Sequence, residues 1–153
     1  MARRVFFSFH YERDIWRANV VRNSWVTQGR EAAGFWDASL WEEAKRKGDE
    51  AIKKMIRDGL ANTSVTAVLV GAETSSRKYV LYEIEQSIAR GNGLLSVHIE
   101  KIKNRDGSTD PSGPNPLAGV QSTPSPNVYY WNRDDGYANF SEWVEQAAKA
   151  AGR

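Results

Sequence analysis

The chain has 153 residues, of which 41% are hydrophobic and 11% aromatic, which is typical of one globular domain with a substantial core. Lys and Arg number 21 against 19 Asp and Glu, so the net charge of +2 does not indicate a nucleic-acid-binding surface. Because the sequence has no cysteine, a disulfide framework, a thiolate metal site and a thiol nucleophile are excluded.

The hydrophobic residues are distributed over short segments. No run approaches the roughly 20 apolar residues of a transmembrane helix, and the first residues, MARRVFFSFHYERD, pass from a short basic start directly into charged sequence. We therefore expect a soluble, cytoplasmic protein that binds neither membrane nor nucleic acid. The two histidines, His10 and His98, are far apart and have no cysteine beside them, so we expect no metal site.

The first part of the chain predicts two strands and two helices. The run VFFSF (residues 5–9) predicts a strand that is covered on both faces. Asp14 is placed to begin a helix with apolar residues at helical spacing. AAGFWD (32–37) predicts a short second strand, and EAIKKMIRDGL (50–60) predicts an amphipathic helix. The stretch between them (38–49) has no long apolar run, and no element is predicted there.

The middle of the chain continues this alternation. SVTAVLVG (64–71) has the clearest strand pattern, a helix follows it, and LLSVHIE (94–100) predicts a fourth strand. The apolar stripe of that helix comprises Val80, Leu81, Ile84 and Ile88. Strands that alternate with helices predict an α/β fold of the flavodoxin-like, three-layer type, in which a central, mainly parallel sheet is flanked by helices.

The composition changes after the fourth predicted strand. All five prolines lie between Pro111 and Pro126, among Gly, Ser, Asn and Thr. Because proline fixes φ and withholds a hydrogen-bond donor, residues 103–126 are predicted to form an irregular excursion. Residues 127–150 then predict a peripheral strand and a closing helix. We expect a single domain over residues 1–153.

Polar and aromatic side chains follow the first three predicted strands. In open parallel sheets, ligands bind outside the carboxyl ends of the strands. One rim of the sheet should therefore collect Ser8, Phe9, His10 and Tyr11 after the first strand, Trp36, Asp37, Ser39 and Trp41 after the second, and Tyr79 and Glu83 on the helix after the third. Such rings, hydroxyls, imidazole and carboxylate can stack a planar base and hold sugar hydroxyls.

Several segments together resemble a TIR-type domain, and in particular the TIR proteins of bacterial Thoeris anti-phage defence. The segments that carry the resemblance are VFFSFHYERD, FWDASLWEEA, EAIKKMIRDGLANTS with the following VTAVLVGAETSSRKYVLYEIEQSI, LLSVHIE, and YYWNRDDGYANFSEWV near the end. They cover nearly the whole chain, so the resemblance implies a TIR-like fold throughout.

The resemblance implies an enzyme that cleaves NAD+ between nicotinamide and ribose. Catalytic TIR domains use a glutamate in the helix after the third strand, usually with a tryptophan four residues earlier. These positions correspond to Glu83 and Tyr79, so tyrosine replaces the usual tryptophan here. The family's loop that covers the nucleotide and mediates assembly corresponds to residues 37–47, and the turn after the first strand to residues 8–11. NAD+ is then the substrate, and no cofactor is expected.

The residue types agree with this chemistry. A cationic nicotinamide leaves without being protonated, so one carboxylate, Glu83, is sufficient to stabilise an oxocarbenium-like transition state. The resemblance also implies that the product is a cyclic ADP-ribose isomer, a diffusible signal that activates a downstream Thoeris effector. We also expect a phage-derived molecule to trigger the enzyme and the protein to assemble with copies of itself.

Two other function classes stay open. A TIR-type interaction module without turnover would act through its loop surfaces, and a nucleoside N-ribosyltransferase would use a carboxylate on the same kind of sheet. The residues also have ordinary structural readings. On this interpretation, Glu83 is a solvated charge off the apolar stripe of its helix, and His10 is a hydrogen-bonded turn residue. The charges of RKYVLYE and EEAKRK then belong to solvated helix faces. The pairing of Glu83 with an aromatic at Tyr79 favours the enzyme.

Overall fold

The computed structural model describes residues 4–27, 30–36, 38–120 and 125–153. The strands within these residues are β1 (Arg4–Ser8), β2 (Glu31–Ala33), β3 (Val65–Val70), β4 (Gly93–His98) and β5 (Asn127–Tyr130). The helices are α1 (Tyr11–Val26), α2 (Ala38–Lys47), α3 (Asp49–Leu60), α4 (Lys78–Ala89) and α5 (Gly136–Ala150). None of the helices in this described part of the chain combines the length and apolarity that a membrane span requires.

The five strands form one sheet in the order β2-β1-β3-β4-β5, and every neighbouring pair is parallel. This is the strand order of flavodoxin-like folds, so the predicted α/β fold with a central parallel sheet is confirmed. The direction of winding reverses between β1 and β3, which are neighbours in the sheet although β2 separates them in the sequence. Ligands of such folds bind at the carboxyl ends of the strands beside this reversal.

The sheet is buried on both faces because successive residues of a strand point to opposite sides. In β1, Val5 and Phe7 pack with α1 and α5, whereas Phe6 packs with α3. Every residue of β3 is buried. By the same alternation, Ser8 points to the side of Phe6, which is the side that α3 and α4 cover.

The helix α2 is an element that the sequence patterns do not predict. Its buried apolar residues are Trp41 and Ala44, which are 8% and 7% exposed and pack against α3. Most other positions of the helix are charged and exposed. Two buried residues are too few to produce a recognisable helical stripe, so only the tertiary structure reveals the helix.

The second strand lies earlier than predicted, at Glu31–Ala33 instead of residues 32–37. Gly34 ends it, because its φ of +91° takes the chain out of the extended conformation. A Cβ atom at Gly34 would lie 2.4 Å from the Phe7 carbonyl oxygen, so the backbones of β1 and the residue after β2 approach closely here. The chain therefore leaves the sheet before Phe35.

The buried face of α4 also differs from the prediction. Its buried residues are Val80, Glu83, Ile84 and Ser87. Leu81 and Ile88, which the sequence places in the stripe, are 46% and 48% exposed, and the interpretation of Glu83 as a charge off the buried face is wrong. Val80 and Ile84 are buried as predicted, but hydrophobicity misses the rest of the face because it is polar, with the Glu83 carboxyl turned towards Ser8.

Residues 103–120 are anchored to the rest of the fold by buried charged groups, and the described residues of this segment contain no helix or strand. Arg17 of α1, only 1% exposed, lies 2.7 Å from Asp110 in an ion pair. Glu100, also 1% exposed, accepts a 2.7 Å hydrogen bond from the backbone N–H of Gly113. These bonds hold the segment against the carboxyl ends of β3 and β4.

Candidate active site

A buried hydrogen bond joins the end of β1 to α4. The Ser8 hydroxyl donates to Glu83 Oε1 at 2.6 Å, and the two residues are 0% and 5% exposed. The alternation of β1 turns Ser8 towards α4, and Glu83 lies in the second turn of that helix. The carboxyl group is thereby held at the carboxyl end of the sheet, where this fold binds ligands.

The environment of Glu83 alters its ionisation. Burial raises the pKa of Glu83 from 4.5 to about 8, and the hydrogen bond from Ser8 acts in the opposite direction. At neutral pH the unliganded protein therefore holds this carboxyl mostly in its neutral form. A strongly shifted pKa in a cleft is characteristic of functional groups, and a cation bound beside Glu83 would favour the carboxylate.

A cavity of about 90 Å³ opens beside Glu83 at the carboxyl ends of β1 and β2. The aromatic residues that line it are Phe7, Phe9, Tyr11, Trp36, Trp41 and Tyr79. The charged residues and the imidazole that line it are His10, Glu12, Lys45, Arg77 and Glu83. The cavity thus combines rings that can stack a planar ligand with one deeply buried carboxyl group.

The aromatic wall is preorganised by contacts among its own rings. Trp36 and Trp41 stack with their centroids 5.9 Å apart, and Tyr11 stacks on Trp41 at 4.6 Å. The Tyr11 hydroxyl also donates to the carbonyl oxygen of Trp36. Because Trp41 belongs to α2, these contacts hold α2 over the cavity.

His10 precedes α1 and lines the same cavity. Burial lowers the pKa of His10, and the positive charge of Arg77 lowers it further. The Glu73 carboxylate, at 4.0 Å between His10 Nε2 and Glu73 Oε1, opposes this shift only in part. The imidazole is therefore neutral at pH 7 and can both donate and accept a hydrogen bond.

Tyr79 is fixed from outside the cavity. Its hydroxyl donates to Asp49 Oδ1 at 2.9 Å, and Lys78 Nζ lies 2.6 Å from the same oxygen. The hydrogen bonds from Lys78 and Tyr79 lower the pKa of Asp49 to about 2. Tyr79 thus connects the start of α4 to the start of α3 through its hydroxyl.

The structure brings most of the predicted site residues together. Those that line the cavity are Phe9, His10, Tyr11, Trp36, Trp41, Tyr79 and Glu83. Ser8 reaches it through its bond to Glu83. Ser39 is exposed on α2 and does not line the cavity. Asp37 lies outside the described residues.

Sequence reasoning missed two cations of the cavity wall, Lys45 and Arg77. Both stand in charged stretches that read as solvated helix faces. Lys45 follows Trp41 by four residues, a spacing that would reveal their shared helix face once α2 is known. Arg77 precedes Tyr79 by two residues, and nothing in the sequence marks it apart from its neighbour Lys78.

A larger cavity, of about 400 Å³, lies at the opposite end of the sheet, where Gly93 and Asn127 begin β4 and β5. Its described lining is apolar or uncharged, with Trp143 and Tyr129 as its rings. Because none of these described lining residues has an acidic, basic or imidazole side chain, the smaller cavity is the candidate active site. The residues that the structure describes include no group of three or more potential metal ligands.

Comparisons with known proteins agree with this geometry. Residues 6–104 match the family described as Thoeris protein ThsB, TIR-like domain. ThsB1 of Bacillus cereus (strain MSX-D12), whose name describes a proposed cyclic ADP-D-ribose synthase, is 46% identical over 146 residues, which are 94% of this chain and 72% of the relative. The matched residues include every residue that lines the cavity beside Glu83. The chain belongs to the ThsB family of TIR-like proteins of the Thoeris system.

Proposed function

We propose that this protein consumes NAD+, cleaves the bond between nicotinamide and ribose, and closes the remaining ADP-ribose into a cyclic isomer. The observation that carries the proposal is Glu83, a buried carboxyl group with a raised pKa at the edge of an aromatic cavity. The name of the 46% identical relative supports the same reaction.

Substrate binding prepares the carboxyl group. The nicotinamide ring of NAD+ carries a positive charge, and this charge beside Glu83 lowers the pKa of the carboxyl group. Glu83 then loses its proton as NAD+ binds. The Ser8 hydroxyl, which donates to Oε1, keeps the resulting carboxylate in place.

Cleavage moves the electron pair of the C1′–N bond onto the nicotinamide nitrogen. Nicotinamide leaves as a neutral molecule, so no acid has to protonate it. Positive charge develops on C1′ and the ring oxygen of the ribose, and the Glu83 carboxylate stabilises it electrostatically. The surrounding low-dielectric wall strengthens this interaction.

Cyclisation requires that an atom of the same ADP-ribose reaches C1′ before water does. A lone pair of that atom forms the new bond to C1′, and an attacking hydroxyl or amine then releases its proton. The stacked rings of Tyr11, Trp36 and Trp41 exclude water and offer a surface on which the adenine can fold back. The wall therefore favours the cyclic product over hydrolysis.

The cyclic product acts as a diffusible signal for a separate Thoeris effector in the cytoplasm. In this role the enzyme responds to a phage-derived trigger, and self-assembly contributes to its activation. NAD+ is its substrate, and the reaction takes place without a further cofactor.

The test compares nucleotide extracts of phage-infected cells by liquid chromatography and mass spectrometry. The cells carry wild type, Glu83→Gln or Glu85→Gln at matched expression. Glu85 is an exposed glutamate two residues further along α4, so its substitution makes the same chemical change outside the cavity. We expect a species with the mass of cyclic ADP-ribose in wild type and Glu85→Gln, and none in Glu83→Gln. If Glu83→Gln still protects the cells against phage although no such product is made, the result would instead support a non-catalytic interaction module.

A further inference from the structure

The cavity beside Glu83 is lined by two hydrogen-bond donors that have no acceptor among the described residues. The indole N–H of Trp41, a residue that is only 8% exposed, is buried and has no hydrogen-bond partner among the residues that the structure describes. The guanidinium of Arg77 has no hydrogen bond or ion pair within the described part of the chain. A buried donor without an acceptor lowers the stability of the unliganded fold, so it points to a ligand that supplies acceptor oxygens.

The other cation of the described cavity wall, Lys45, is already neutralised. Lys45 Nζ lies 3.4 Å from Glu12 Oε2 and 3.7 Å from Glu42 Oε1. Arg77 is therefore the lining cation whose charge is not balanced by a described carboxylate. Its guanidinium also lies close enough to His10 to disfavour protonation of the imidazole, which places its charge on the cavity side of α4.

We propose that Arg77 binds the diphosphate of the dinucleotide and that the Trp41 indole N–H donates to an oxygen of the same ligand. This assignment rests on the proposed function, because it takes NAD+ as the substrate. The planar fork of an arginine presents two parallel donors that match two phosphate oxygens. Glu83 then faces the nicotinamide cation, and Arg77 binds the diphosphate anion of the same molecule.

The dimensions agree with this orientation. Arg77 precedes Glu83 by six residues, which corresponds to about 9 Å along the axis of α4. One ribose with its phosphate can bridge this span. The cavity of about 90 Å³ is much smaller than the roughly 300–1,000 Å³ of pockets that enclose a whole organic ligand. Nicotinamide therefore occupies the cavity, and the rest of the dinucleotide leaves through the mouth, where the exposed Arg77 is located.

Calorimetric titration of the full chain tests the assignment with two probes. ADP-ribose carries the diphosphate without nicotinamide, and nicotinamide riboside carries the cation without phosphate. We expect Arg77→Gln to raise the Kd of ADP-ribose by about tenfold or more and to leave that of nicotinamide riboside unchanged. Arg77→Lys keeps the positive charge but loses the planar fork. Its Kd for ADP-ribose should therefore lie between the values of wild type and Arg77→Gln.

Arg90→Gln is the matched control, because Arg90 is an exposed arginine at the other end of α4. It should change neither Kd. Wild-type affinity of Arg77→Gln for ADP-ribose, or an equal loss of both ligands, would overturn the diphosphate assignment while the NAD+ reaction stands. If the wild-type chain binds neither probe and yields no cyclic product in infected cells, the proposed function fails, and this assignment fails with it.

Discussion

The Ser8 hydroxyl at the end of β1 donates a 2.6 Å hydrogen bond to the Glu83 carboxyl in the second turn of α4. Burial raises the pKa of this carboxyl to about 8, and the Ser8 bond lowers it, so Ser8 controls how much Glu83 is ionised near neutral pH. In the proposed reaction the carboxylate is the form that stabilises the oxocarbenium ion, so we expect the Ser8 bond to affect the rate.

Ser8→Ala should slow NAD+ cleavage at pH 7 by about tenfold, and the rate should recover as the pH is raised. Loss of the hydroxyl removes a donor that favours the charged form, so the pKa of Glu83 rises further. The measurement is nicotinamide release between pH 6 and 10. Ser87→Ala is the control, because Ser87 is also buried but donates to the Glu83 carbonyl oxygen and not to its carboxyl group. A rate loss of equal size at every pH would contradict the role of Ser8 in ionisation.

Glu83 should also make the fold less stable as the pH rises. Below pH 4.5 the carboxyl is protonated in both the folded and the unfolded chain, so it imposes no penalty. Between pH 4.5 and 8 the unfolded chain ionises while the folded chain stays neutral, and the free energy of unfolding falls. We expect the Tm of Glu83→Gln to exceed that of wild type by a margin that grows from pH 5 to 8. A constant margin, or a growing one in Glu85→Gln, would refute this origin.

The sequence predicts the sheet well because hydrophobic runs and alternation are local properties. The buried runs at residues 5–9 and 64–71 correspond to β1 and β3. Because ligands of open parallel sheets bind outside the carboxyl ends of the strands, the sequence also predicts that Ser8, His10 and Tyr79 lie near one another, as they do. These inferences need only the order of the elements and the period of the strands.

The sequence does not predict features that depend on tertiary contacts. Glu83 is buried on α4 because Ser8, 75 positions earlier, supplies its partner. Arg77 and Lys45 resemble solvated charges until α2 and α4 are seen to border one cavity. Likewise, Arg17 looks like a surface arginine of α1, yet it is 1% exposed and holds the proline-containing segment.

The bond between Tyr79 and Asp49 should help to position the Tyr79 ring. Tyr79→Phe and Asp49→Asn should each reduce NAD+ cleavage several-fold, and the double variant should lose little more than either single one, because both remove the same interaction. Steady-state rates for the four proteins of this cycle provide the measurement. Asp58→Asn, the same change on the exposed part of α3, should have no effect. Effects that multiply in the double variant would show that the two residues act independently.

The close packing of Gly113 should be essential for anchoring residues 103–120 to the rest of the fold. A Cβ atom at Gly113 would lie 2.2 Å from the Gly71 carbonyl oxygen and 2.7 Å from that of Ala72. Backbone atoms cannot move away easily, so we expect Gly113→Ala to lower the free energy of unfolding by about 1–3 kcal/mol. Gly119→Ala is the control, since nothing lies within 4 Å of a Cβ atom there. Equal urea denaturation midpoints for the two variants would contradict the close contact.

In the proposed reaction, the buried Glu83 carboxyl must ionise for NAD+ to be cleaved. The most direct test is the pH dependence of kcat/KM for nicotinamide release, which reports ionisation of the free enzyme. For wild type and Glu85→Gln, we expect kcat/KM to rise by about tenfold per pH unit and to level off near pH 8. Glu83→Gln should show only the background rate at every pH. A wild-type profile that is flat between pH 6 and 9, or a Glu83→Gln protein with wild-type kcat/KM, would contradict the requirement that Glu83 ionises.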